Sequence, residues 1–162
     1  MSIFIFSQPI HSGKTTQLLH WCNQQKNVTG ILMPDIDGKR KILDLETKEL
    51  FTIECDNPSD SPEELITVGK YHFYATAFKK ANTILLSALS RNPQLLVIDE
   101  VGKLELEGKG FYPGVKKAIE DHEKKLISTQ LILVVREGLY DEAVNFFKIK
   151  DHTLVHHVTE IV

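Results

Sequence analysis

Two places in the chain carry residue types and spacings suited to phosphate chemistry. The first is "SQPIHSGKTT", residues 7–16, which ends in Gly13, Lys14 and Thr15. These supply the second half of the pattern G-x-x-x-x-G-K-[ST], the phosphate-binding loop or P-loop. Its tight turn aims successive backbone N–H groups at a phosphate, at the positive end of the helix that follows. Lysine adds a mobile cation and the hydroxyl ligates Mg²⁺. The second place is "LLVIDE", an apolar run that delivers Asp99 and Glu100 at its carboxyl end, where ligands of open α/β sheets collect. Asp99 is suited to the Mg²⁺ shell, directly or through water, and Glu100 to polarising a water for attack on a γ-phosphorus. Alone, "SGKT" is also an ordinary helix start and "DE" an ordinary solvated turn. Their occurrence together, in this order and roughly a βαβ unit or two apart, argues for a nucleotide site.

The first half of the loop does not fit. Gln8 stands where the pattern begins with glycine. If that position needs φ > 0, a side chain there costs roughly 1–3 kcal/mol. Each charge-assisted hydrogen bond to phosphate contributes about 1.5–3 kcal/mol, and several remain from the amides around Ser12 to Thr16 and from Lys14. The expectation is therefore that strain weakens binding about tenfold to a hundredfold without abolishing it. Turnover is more exposed, because small misplacements of the γ-phosphate cost rate steeply. The expected nucleotide-binding segment is Gln8, Pro9, Ile10, His11, Ser12, Gly13, Lys14, Thr15 and Thr16, with His11 offering a hydrogen bond or a pH-dependent charge.

The elements that must position these residues read as follows. Residues 3–7 form a short buried strand, and 15–25 a helix with Leu18, Leu19 and Cys22 at helical spacing. Residues 28–33 are a second strand. "DGKRKILDLETKELFTIE" alternates about a turn near residues 47–49 and reads as a small antiparallel hairpin. "NPSDSPEE" is the most loop-like segment. Residues 73–91 read as a long helix with Phe78, Leu85, Leu86 and Leu89 on one side, broken by "NPQ" before the strand "LLVID". Helices over 115–125 and 140–147, the buried strand "QLILVV", and a last strand in "HTLVHHV" complete the pattern. Continuous apolar strands separated by helices mean that both sheet faces are covered. The expected fold is a three-layer α/β architecture with a mostly parallel sheet and the hairpin as an addition.

At 162 residues, 42% hydrophobic, the chain suffices for one core and is short for two, so 1–162 reads as a single domain. A net charge of −3 gives no electrostatic reason to expect nucleic acid or an anionic membrane as partner. Cys22 and Cys55 show no metal-ligand spacing and read as reduced thiols of a cytoplasmic protein. The run "IFIF" is far shorter than a signal-peptide core or a membrane span.

At "VIDEVGKLEL" the chain resembles the P-loop nucleoside-triphosphatase family of bacteria and archaea that includes the human cancer-related nucleoside-triphosphatase. The resemblance extends to "DGKRKILDLETKEL", to "VGKYHF" before the long helix, and to "LILVVR". It implies the P-loop NTPase fold and Mg²⁺-dependent hydrolysis of several nucleoside triphosphates, ATP and GTP among them, with weak base discrimination. Residue by residue it places Lys14 on the phosphates, Thr15 on Mg²⁺, Asp99 on the metal shell and Glu100 on the attacking water. The family usually has glycine at Gln8 and His11 and proline at Ile10, so a slow enzyme is expected.

Other residues carry weaker readings. Arg136, at the end of "LILVVR", is placed to stabilise charge on the γ-phosphate, as arginine fingers do, or forms a surface ion pair. Lys103 could reach a phosphate or pair with Glu105. Arg40 and Lys70 could line the site from the other side, and Tyr71, Phe73 and Tyr74 could stack on a base or start the helix as core. His152, His156 and His157 lack a partner at metal-ligand spacing. Two rival functions stay open: a nucleoside or nucleotide kinase, because "SGKTTQLL" also resembles type II thymidine kinases, and a non-hydrolytic nucleotide-binding module.

Overall fold

The computed structural model describes residues 2–9 and 12–161, so the expectations for Ile10 and His11 lie outside the described residues. In chain order the elements are β1 (Ile3–Phe6), α1 (Lys14–Asn23), β2 (Val28–Leu32), β3 (Asp35–Ile36), β4 (Lys39–Asp44), β5 (Leu50–Thr52), β6 (Leu65–Val68), β7 (Tyr71–Tyr74), α2 (Ala75–Ser90), β8 (Leu95–Val101), α3 (Lys103–Leu106), α4 (Tyr112–Glu123), β9 (Gln130–Val135), α5 (Tyr140–Phe146) and β10 (Thr153–Val155). Among the described residues, an eight-stranded sheet runs in the order β10-β1-β9-β8-β2-β4-β3, with β5 on β4. Strands β10, β1, β9, β8 and β2 are parallel, whereas the β2–β4, β3–β4 and β4–β5 pairs are antiparallel.

The apolar runs of β1, β8 and β9 are continuous because alternate side chains enter different cores. Ile3, Ile5, Leu96, Ile98, Leu131 and Leu133 pack with α2 and α4 through Phe78, Leu85, Val115 and Ile119. Phe4, Phe6, Leu95, Val97, Ile132 and Val134 pack on the other face, with Leu18 and Cys22 of α1. The sheet is thus the middle of three layers, as expected from the sequence. At Gly30 (φ +113), a Cβ would lie 2.0 Å from the Val97 carbonyl oxygen, so glycine lets β2 approach β8 closely. That contact brings the end of β2 beside the end of β8, where Asp99 sits.

The predicted hairpin is β4–β5, and it extends the main sheet at its antiparallel edge. A second hairpin, β6–β7, was not foreseen. Residues 73 and 74 are strand, not helix start, with Ile66 opposite Phe73 and Leu65 opposite Tyr74. Its two-residue connection begins with Gly69 at φ 58, the left-handed conformation that tight hairpin turns require. Helix α2 therefore begins at Ala75, and its buried stripe is Ala77, Phe78, Ala81, Leu85, Ala88 and Leu89, while Leu86 is 39% exposed. The last strand is shorter than expected. After Val155 the chain turns, and Glu160 accepts the backbone N–H groups of His156 and His157.

Candidate functional site

The loop from β1 to α1 opens at the carboxyl end of a central strand. Gly13 caps α1 in the left-handed conformation, φ 79 and ψ 21, and the helix closes on it through Gln17 N–H to Gly13 O at 3.0 Å. The departure at Gln8 takes an unexpected form. Gln8 is not among the residues with positive φ, so the strain expected from a missing glycine does not arise. Its side chain is buried and ties the loop together instead. Nε2 donates to the His156 carbonyl and to Gln17 Oε1 (3.2 Å), and Oε1 accepts from Ser12 Oγ (2.9 Å). His156 reciprocates, its Nδ1 donating to Ser7 O at 2.8 Å. The sequence offers no role for His156, which lacks a partner at metal-ligand spacing. It is instead the far anchor of the loop, 148 residues from Gln8, and only the parallel pairing of β1 with β10 reveals it.

Opposite the loop stands the end of β8. Thr15 Oγ1 donates to Asp99 Oδ2 at 2.8 Å, and the Met33 N–H, just beyond β2, donates to the same oxygen at 3.1 Å. Oδ1 of Asp99 is buried and has no hydrogen-bond partner among the described residues. Burial, with the neighbouring Glu100 charge adding to it, pushes the Asp99 carboxyl up to about 6, against the opposing pull of Met33 N–H, Thr15 and Lys14. A buried carboxylate oxygen left without a partner is costly in a protein interior. Beside a threonine hydroxyl it makes an all-oxygen donor set of the kind hard divalent cations take.

Glu100 lies between two cations. Lys14 Nζ is 4.0 Å from its Oε2 and Arg136 Nη2 is 3.6 Å from its Oε1, with Glu100 and Lys14 side chains mostly buried and Arg136 one-third exposed. Lys14, Thr15, Asp99, Glu100 and Arg136 are therefore brought together, although Arg136 is 122 residues from Lys14. Ser12, Gly13 and Thr16 join Lys14 and Thr15 along one wall of a cavity of about 280 Å³. Arg40 and Tyr71 form the facing wall, the guanidinium 5.9 Å over the Tyr71 ring.

Several expected residues lie elsewhere. Lys70 does not line this cavity; its ammonium sits 5.4 Å from the centroid of the Tyr71 ring. Phe73 is core, stacked on Tyr71. Lys103 is exposed and does not pair with Glu105, though it borders an adjoining cavity that Glu100 and Arg136 also line. Glu105 is buried and caps α3: Oε1 accepts Gly102 N–H and Oε2 accepts Phe111 N–H, both at 2.8 Å. Burial pushes its carboxyl up to about 7 despite those two donors. His152 bonds the Tyr140 hydroxyl at 2.6 Å.

The profile of the family described as NTPase matches residues 3–161. The chain belongs to the NTPase family. It is 31% identical over 134 residues to the nucleoside-triphosphatase THEP1 of Thermotoga sp. (strain RQ2), covering 80% of this chain and 73% of that protein. The archaeal nucleoside-triphosphatase THEP1 of Methanopyrus kandleri is 28% identical over 134 residues, covering 77% of this chain and 68% of the relative. The crystal structure of THEP1 from the hyperthermophile Aquifex aeolicus superposes with a TM-score of 0.72 at 20% identity, over 99% of this chain and 91% of that one. That likeness establishes the NTPase chain's fold as the P-loop α/β architecture anticipated from its sequence.

Proposed function

We propose that this chain hydrolyses nucleoside triphosphates to diphosphate and phosphate, with Mg²⁺ and with weak base discrimination, and that residues 1–162 act as one P-loop unit. The observation that carries the reading is the placement of Glu100 between Lys14 and Arg136, beside a Thr15–Asp99 pair with a buried oxygen to spare. Thr15 and Asp99 are the residues that would hold Mg²⁺. Bound there, the ion supplies charge neutralisation at the phosphate oxygens.

The protein's own groups account for the rest. Amides at the start of α1, Gly13 to Thr16, meet the phosphates at the positive helix end. Lys14 and Arg136 are both engaged with Glu100. A triphosphate draws both cations onto its own oxygens, which releases the Glu100 carboxylate to orient a water. The water oxygen attacks the γ-phosphorus, its proton passes to Glu100, and the β–γ bridging oxygen leaves with the diphosphate. Arg136, already within 3.6 Å of Glu100, then lies where charge grows on the transferring group. At Gln8 the loop is anchored without backbone strain, which removes strain at that position as a reason for slow turnover.

Among the described residues, no helix is long and apolar enough to cross a membrane. Both cysteines are buried thiols, with Cys22 pushed up to about 12 by burial, which supports a reducing, cytoplasmic setting. The test is a phosphate-release assay across ATP, GTP, CTP and UTP, with and without Mg²⁺. Release from all four within about tenfold of one another, dependent on the metal, is expected; no release from any would end the proposal.

A further inference from the structure

A second, smaller cavity opens beside the first. It measures about 90 Å³ and its walls are Val68 from the unforeseen β6–β7 hairpin, with Phe73, Phe78, Leu104 and Phe111 behind it. Glu100 and Arg136 line both cavities, as do Met33, Arg40 and Tyr71, whereas Ser12, Gly13, Lys14, Thr15 and Thr16 line only the larger. A molecule in the small cavity therefore meets the phosphate site at Glu100 and Arg136, on the side away from the P-loop. Hydrolysis needs only a water there, and Arg40, Lys103 and Glu105 line the cavity beside Glu100 and Arg136, yet Val68, Phe73, Phe78, Leu104 and Phe111 give it an apolar part as well. Water is poorly held against those five side chains, because it needs two to four polar partners. At ~10–15 Å³ of such space per water-sized group, the cavity of about 90 Å³ admits roughly six to nine non-hydrogen atoms.

Resting on the phosphate-transfer reading of the neighbouring site, we infer that this cavity is an acceptor site for a small primary alcohol with a compact apolar body, a single aromatic ring or a short branched alkyl chain. The chain then transfers the γ-phosphoryl group to that alcohol as well as to water. The apolar body fills the space between Val68, Phe78, Leu104 and Phe111, which leaves the hydroxyl facing Glu100. The alcohol oxygen forms the new bond to phosphorus, the bond to the β–γ bridging oxygen breaks, the diphosphate leaves, and the hydroxyl proton goes to the Glu100 carboxylate. Glu105 also borders the cavity, but both its oxygens already accept backbone N–H groups, from Gly102 and Phe111, so it cannot serve as the base. The volume argues against a nucleoside or nucleotide as acceptor, since a sugar and base together would exceed about 90 Å³.

The experiment incubates the full chain with γ-labelled ATP and Mg²⁺ in the presence of benzyl alcohol, isobutanol or glycerol, and separates labelled inorganic phosphate from labelled phosphate ester. Benzyl phosphate or isobutyl phosphate is expected to take at least a tenth of the label, with none on glycerol. In the Val68→Phe and Leu104→Phe variants, which fill the cavity, the ratio of ester to inorganic phosphate should drop at least tenfold. Because the ratio is internal, it does not depend on how much of each variant folds. Label found only as inorganic phosphate overturns the acceptor site and leaves hydrolysis standing. Ester formed at an unchanged ratio in both variants overturns its placement in this cavity. No labelled product of either kind overturns both readings.

Discussion

Two loops bring charge to the site, and they are held in opposite ways. The loop before α1 departs from the expected pattern and is tied by side chains reaching across the fold, Gln8 to His156 and Gln17, and His156 back to Ser7. The turn after β8 keeps its "DEVGKLEL" sequence and is tied locally, by one buried carboxylate, Glu105, accepting two backbone N–H groups within six residues of itself. The first needs the β1–β10 pairing to exist before it forms. The second is encoded in a single short segment. At Gln8 the residue that stands for the pattern's glycine has no positive φ and is anchored at a distance by its polar side chain.

That contrast can be broken at each end. Among the changes that probe this contrast, the largest effect belongs to neither loop's anchors but to the cation between them: Lys14→Ala should lower phosphate release by about 10²–10³, the scale of losing one preorganised charge donor, read as kcat/KM for ATP. Next is Glu105→Gln. An amide offers one accepting oxygen where the carboxyl offers two, so one buried N–H, of Gly102 or of Phe111, faces a donor, at about 1–3 kcal/mol. At about 2–4 °C per kcal/mol the melting temperature should fall measurably at pH 5.

The same residue sets a pH dependence. Its folded pKa, about 7, lies above the ordinary 4.5, so the folded state binds its proton more tightly than the unfolded chain does. Stability from this group is full below about 4.5 and is lost as pH rises towards 7. Asp99, raised from 3.8 to about 6, acts in the same direction at lower pH. Urea denaturation should show the wild type weakening between pH 5 and 8, and Glu105→Gln weakening less over that interval.

A smaller effect is expected at the other anchor. If Gln8 were a strained substitute for glycine, Gln8→Gly would raise turnover; because it anchors without strain, the variant should bind nucleotide about threefold to tenfold more weakly, the scale of one or two lost hydrogen bonds, with no rise in rate. Calorimetry with a non-hydrolysable ATP analogue measures it. Smallest is Leu86→Ala on the exposed side of α2, which should change stability by less than about 0.5 kcal/mol.

The order of strands and helices and the pairing of the P-loop with Asp99 and Glu100 were legible in the sequence, because continuous apolar strands and a strand-loop-helix spacing are local signals. The β6–β7 hairpin was not, since "LITVGKYHFY" runs straight into a helix and its aromatic residues suit either element. The hold on Gln8 by His156 and the Met33 N–H on Asp99 join residues 148 and 66 apart, and no spacing rule reaches that far. Glu105 is within reach of the sequence, because an acid three residues after Gly102 is a helix-capping pattern.

We propose that Glu100, paired with Lys14 and Arg136, acts as the base once a triphosphate takes both cations. Glu100→Gln tests it most directly, with nucleotide binding and single-turnover phosphate release measured on the same preparation. The account predicts Mg²⁺–ATP binding at least as tight as in the wild type, because the competing charge is gone, together with release slowed by about 10²–10⁴. Release at the wild-type rate, or a loss of binding that matches the loss of rate, would contradict it.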